Sequence, residues 1–192
     1  MRGDDAPRSR PAPRSLNPTM VEIAAVDDSG QLQPLPPERA RREGLQLIVV
    51  AVALSSPAGI LLTRAAEAGG GGAWSLPAVL PRWGEHGATA AARLMRGSFG
   101  LGGLALRRAG GARYRADPVP GATAERGLVQ LFRAELASPD LPAGGDGGLR
   151  WLAPAALAAE LAADPRRFGP LLRAVAAAGA LDAWAAPGGE GA

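Results

Sequence analysis

Positions 94, 97 and 98 stand at i, i+3, i+4 in an alanine-rich segment, so on a helix they share one face. Three carboxylates in that pattern would offer hard oxygens to a divalent cation such as Mg²⁺. Such a metal neutralises a diphosphate and helps to activate a water. The residues present are Leu94, Gly97 and Ser98, none of which carries a carboxylate. Nearby, Glu85 and Arg93 form a possible charged pair. Either Glu85 helps to hold a metal, or Arg93 anchors a loop to the helix through a bidentate contact with it. The missing carboxylates favour the structural role.

Other residue types could also do chemistry. His86 is the only histidine and could act as a general base, but no nucleophile or orienting acid stands at catalytic spacing, so a loop histidine is the plainer reading. Glu125 is a candidate functional acid, with a solvated strand-end carboxylate as its alternative. Arg42, Arg64 and Arg82 suit metal-free phosphate binding, and solvated arginines are the plainer account. Trp74 and Trp83 flank a turn, where either can stack on a ligand ring or simply pack. The glycine runs at 69–72 and 144–148 lack the Lys-Ser/Thr and strand-turn-helix context of a phosphate loop and read as loop tips. Ser98 has no nearby base or elbow motif to make it a nucleophile.

These residues need elements to position them. Val21–Val26 reads as a first strand ended by the turn cluster Asp27-Asp28-Ser29-Gly30. A proline-rich loop and a short basic segment, Glu38–Gly44, follow. Leu47–Leu54 and Ile60–Arg64 make a hairpin around Ser55–Gly59. Thr89–Phe99 reads as a helix closed near Gly100. Leu104–Leu106 and Ala112–Tyr114 are short strand candidates, Gly127–Leu136 is a firmer strand, and Leu149–Leu152 is a short one. Helices are expected over Pro154–Ala163 and Phe168–Ala180. Sheet and helices do not strictly alternate, so the class is α+β.

The 192 residues suit one domain with a real core. No run of about 18 apolar residues marks a membrane span, and the N-terminus lacks the apolar core of a secretory signal. The absence of cysteine excludes disulfides and thiolate chemistry. A cytoplasmic location is the default expectation. The net charge of +3 and pI of about 10.8 come entirely from arginine, since there is no lysine. The arginines look scattered, four of them (Arg2, Arg8, Arg10, Arg14) near the N-terminus. A coding bias explains them better than nucleic-acid binding.

The stretch Trp74–Leu101, WSLPAVLPRWGEHGATAAARLMRGSFGL, resembles a Nudix box. Gly84 and Glu85 stand in place, Arg93 follows at the family's spacing, and Met95, Gly100 and Leu101 fit their slots. The three acidic slots are those filled by Leu94, Gly97 and Ser98. VDDSGQLQPLPPERARREGL, the hairpin LIVVAVALSSPAGILLTRA and the end LRWLAPAALAAELAADPRRFGPLLRAV resemble the isopentenyl-diphosphate-isomerase-like branch. The resemblance implies a Nudix-like mixed sheet flanked by helices over residues 20–184, and composition leads us to expect disordered tails at 1–19 and 185–192. Departures from that branch run one way: Leu80 replaces a histidine, Gly127 replaces the second acid of a Glu-x-Glu, and the isomerase cysteine is missing.

Three readings follow. A non-catalytic binding, regulatory or scaffolding protein needs no cofactor; its expected partner is a phosphorylated small molecule, another protein or a second copy. A divergent hydrolase of a nucleoside- or isoprenoid-diphosphate would hold Mg²⁺ through Glu85, Glu125 and an acid such as Asp117, or transfer protons through His86. A nucleic-acid accessory role rests only on charge. The first reading is preferred; nucleic acid and membrane are not expected partners.

Overall fold

The computed structural model describes residues 21–64, 72–116, 124–142 and 148–181. The tails, Gly69–Gly71, Asp117 and most of the 144–148 run lie outside them. The elements are β1 (Ile23–Val26), β2 (Leu32–Leu35), α1 (Pro37–Arg42), β3 (Gln46–Ser56), β4 (Gly59–Arg64), β5 (Trp74–Ser75), β6 (Ala78–Val79), α2 (Gly87–Phe99), β7 (Arg107–Arg115), β8 (Arg126–Glu135), β9 (Leu149–Leu152), α3 (Pro154–Ala163) and α4 (Pro170–Ala177). Residues 165–167 add a 3₁₀ turn.

Mixed pairing makes this an α+β fold. β3 runs parallel to β8 from Gln46↔Arg126 to Ser55↔Glu135, whereas β1, β4 and β6 pair with β3 antiparallel. β7 lies antiparallel to β8, and β9 to β4. β3 is central and covered on both faces, which is why its sequence is a continuous apolar run rather than an alternating one. Leu47, Val49, Ala51 and Ala53 join Val129 and Leu131 in a first core with Leu157 of α3 and Leu171, Leu172 and Val175 of α4. Val50, Val52 and Leu54 join Phe132 in a second core beneath Ala90, Ala91, Met95 and Phe99 of α2. Burying Met95 and Phe99 stabilises α2 by about 1.5–3 kcal/mol each.

A local signal sets the C-terminal end of α2. Gly100 takes the left-handed conformation at φ 69°, and its N–H and that of Leu101 return to the last turn through the Arg96 and Met95 carbonyls.

Several expectations need correction. The proline-rich loop contains β2, whose Leu35 is drawn into the first core. Leu104–Leu106 forms no strand, and Ala112–Tyr114 belongs to the longer β7, whose register is broken by a bulge between Arg108 and Gly111. The last helix starts at Pro170 rather than Phe168, which is buried after the 3₁₀ turn, and it stops at Ala177. β5 and β6 are two-residue strands too short for any periodicity to reveal. No helix among the described residues is long and apolar enough to cross a membrane.

Candidate functional site

The loop into α2 is held by one carboxylate. Gly84, at φ 77°, supplies the turn that brings Glu85 back over it. Arg93 Nε donates to Glu85 Oε1 at 2.8 Å, and Arg93 Nη2 donates to Glu85 Oε2 at 2.8 Å. The Arg82 N–H donates to Oε2 at 2.8 Å, and Arg93 Nη2 also reaches the Leu80 carbonyl at 3.2 Å. The Arg93 bonds outweigh burial and hold the Glu85 carboxyl down at about 2. Both Glu85 oxygens are thus engaged by the protein, an anchoring geometry. His86 is the exposed N-cap residue of α2, and its side chain caps nothing.

Leu94, Gly97 and Ser98 follow on the same helix. Leu94 packs on the second core. Gly97 is exposed, and a Cβ built there meets nothing within 4 Å. Space for a carboxylate exists at Gly97, and the chain does not fill it.

Glu125 stands elsewhere. Arg41 Nε of α1 donates to its Oε2 at 2.7 Å, and Tyr114 Oη of β7 donates to its Oε1 at 2.6 Å. This is a bonded acid rather than the solvated strand-end residue of the alternative reading. Arg41 also donates to Glu38 at 2.9 Å. Tyr114 belongs to the first core, across the sheet from the core that α2 covers. Burial, then the bond to Glu125, raises the Tyr114 phenol far above its ordinary value. Its ring lies over Gly127, where an added Cβ would overlap Tyr114 Cε1. The tyrosine therefore fills the room that a side chain at 127 would need. Leu80 packs on the same first core.

A divalent metal needs several oxygen or nitrogen ligands converging on one point. Among the described residues, no group of three or more His, Asp or Glu side chains is placed to hold one. Glu85 and Glu125 make separate sets of contacts, and the face bearing positions 94, 97 and 98 carries no acid. The described side chains do not fit a metal.

Of the arginine and tryptophan candidates, the structure brings Arg64 and Trp74 together. Arg64 Cζ lies 5.6 Å from the Trp74 ring centroid, a cation–π contact. Arg64 Nε also donates to the Gly72 carbonyl. They line an open cleft of about 270 Å³ with Gly72, Ala73, Asp164, Arg166 and Arg167. Asp164 Oδ1 accepts from the Arg166 N–H at 3.2 Å, and Arg167 Nη1 lies 3.5 Å from Glu160. Arg42 and Arg82 are exposed and line no part of this cleft. Arg166 and Arg167 were not among the sequence candidates. The signal was the Asp-Pro-Arg-Arg-Phe string, which marks a capped turn without revealing which way it faces. Trp83 remains 47% exposed.

No family model matches the chain. An isopentenyl-diphosphate Delta-isomerase of Cereibacter sphaeroides is 33% identical over 165 residues, which cover 80% of this chain and 90% of that protein. The enzyme of the same name from Rhodobacter capsulatus is 34% identical over 152 residues, covering 75% and 85%. Among solved structures, Deinococcus radiodurans DR0079 superposes with a TM-score of 0.56 at 17% identity, over 83% of this chain and 96% of that one. The Escherichia coli dihydroneopterin triphosphate pyrophosphohydrolase gives 0.53 at 15% identity, over 71% and 93%.

Proposed function

This chain belongs to the isopentenyl-diphosphate-isomerase-like branch of the Nudix superfamily, and from that premise we propose that it binds a phosphorylated small molecule without metal-dependent turnover. The observation that carries this reading is the disposition of the acids. Glu85 is tied to Arg93, Glu125 is tied to Arg41 and Tyr114, and positions 94, 97, 98 and 127 offer no carboxylate. The isomerase cysteine is absent as well. Isomerisation by the family's chemistry has no thiol, and hydrolysis finds no cluster of ligands for Mg²⁺ among the described residues.

The ligand end of the proposal rests on the Arg64 cleft. Three guanidinium groups from two parts of the chain border it, and Trp74 offers an aromatic wall. Arginine binds phosphate oxygens through a planar fork without help from a metal. A regulatory or scaffolding role would follow from ligand-dependent ordering of this end of the sheet.

The test is a thermal-shift titration with inorganic diphosphate, with and without Mg²⁺. The reading expects a rise in midpoint that grows with diphosphate, needs no Mg²⁺ and is lost in Arg64→Ala. A shift that appears only with the metal sinks it. The names of the relatives favour a second reading, a divergent enzyme acting on a diphosphate ester. Under that reading Glu125→Gln abolishes a measurable turnover.

A further inference from the structure

The strand that supplies Tyr114 to Glu125 also gathers arginines that take no part in the cleft or in the Glu125 contacts. β7 carries Arg107, Arg108, Arg113 and Arg115, all exposed, and among the described residues it pairs only with β8. Among the described residues none of the four makes an ion pair or a side-chain hydrogen bond. The cross-strand neighbours add charge of the same sign, for Arg107 faces Arg133 and Arg115 faces Arg126. Arg126 itself is engaged by Asp28 and the Gly44 carbonyl.

The backbone of this strand is also poised for a partner. The Ala116 N–H donates to the Glu125 carbonyl at 2.8 Å. Antiparallel ladders alternate, so Tyr114 and Ala112 direct their N–H and C=O groups toward β8. Arg113 and Arg115, between and beside them, direct theirs to the open edge. Their side chains share one face, because residues i and i+2 do. Among the described residues, each thus presents a free main-chain donor and acceptor together with an unpaired guanidinium.

We propose that the β7 edge binds an extended acidic peptide segment of a partner protein by strand addition, with acids at every second position opposite Arg113 and Arg115. Main-chain bonds provide the docking, and the alternating side chains provide selectivity. A cross-strand acid would sit about 4.5–5.5 Å from the arginine, Cβ to Cβ. A second copy of this strand is a poor occupant, since arginine would face arginine. A nucleic acid has no use for the free backbone edge, and the one aromatic of β7, Tyr114, is buried where no base can stack on it.

The probe is a blocked eight-residue peptide alternating threonine and glutamate, titrated into the full chain at low and at moderate salt. Binding should weaken with salt, and hydrogen exchange should slow at the Arg113 and Arg115 amides while the Tyr114 amide stays unchanged. Arg113→Ala and Arg113→Pro both remove the guanidinium, but only proline removes the outward N–H, which is tolerated on an edge. Arg113→Pro should therefore bind about tenfold more weakly than Arg113→Ala. The exchange pattern of the unsubstituted chain decides the matter if Arg113→Pro fails to fold. No binding at low salt overturns the proposal and leaves the arginines as a guard against edge association. Equal binding of a proline-interrupted peptide, or of a thymidine octanucleotide without slowed exchange, overturns it too.

Discussion

Replacing Arg93 by methionine removes the two bonds that hold Glu85 and leaves the carboxylate with only the Arg82 N–H. The magnitude can be worked from the titration of Glu85. Its carboxyl lies at about 2 instead of 4.5, a gap worth at most about 3.4 kcal/mol at roughly 1.36 kcal/mol per pH unit. The Arg93 side chain is 33% exposed, so solvent screening reduces this to about 2 kcal/mol. A carboxyl depressed on folding stabilises the fold fully above the unfolded value, near 4.5, and loses that contribution as pH falls toward 2. Urea unfolding at pH 7 should show Arg93→Met about 2 kcal/mol less stable, with a flatter decline in stability between about pH 4.5 and 2. Glu85→Gln should cost somewhat less, because its amide oxygen still accepts from Arg82, and the double mutant should show coupling of about 1–2 kcal/mol. A cost below about 0.5 kcal/mol with an unchanged acid limb would refute the anchoring role.

Four other substitutions or titrations probe the second acid and the empty helix face. Tyr114 is the only tyrosine, so a spectrophotometric titration reads it alone; no tyrosinate should appear near pH 11 until the chain unfolds. The raised phenol stabilises the fold below about pH 10, and that contribution fades as pH rises further; loss of the phenol bond in Tyr114→Phe should cost about 1 kcal/mol in urea unfolding. Gly127→Ala should lower stability by about 1–3 kcal/mol, because the methyl group overlaps the Tyr114 ring. Gly97→Glu, by contrast, should raise stability by up to about 1 kcal/mol, since the position is helical, exposed and unobstructed. Thermal denaturation distinguishes the two glycines by sign.

Much of the scaffold was legible because periodicity and turn chemistry agreed. The β-branched apolar run of β3, bounded by turn residues, reads as a buried strand, and Gly100 marks the end of α2. β2 escaped because Pro34 and Pro36 read as loop, although a four-residue edge strand beside β1 tolerates proline at the sheet margin. The 104–106 segment misled because Leu104, Ala105 and Leu106 look strand-like, yet Leu104 and Leu106 pack on the second core from an irregular segment. At the site, the resemblance to the Nudix box exposed the missing acids at 94, 97 and 98, and their spacing placed them on one helical face. The contacts of Glu125 with Arg41, 84 residues away, have no local signal. Nor could composition show that the arginines of 107–115 share one edge, because that depends on which strand β7 pairs with.

We propose that this Nudix-fold chain binds its ligand without metal-dependent turnover. The most direct measurement follows isopentenyl diphosphate incubated with the purified chain and saturating Mg²⁺ or Mn²⁺, monitoring both the isomerised diphosphate and released phosphate. Neither product should form above the rate of a protein-free control. Sustained formation of either, abolished by Glu125→Gln, contradicts the proposal.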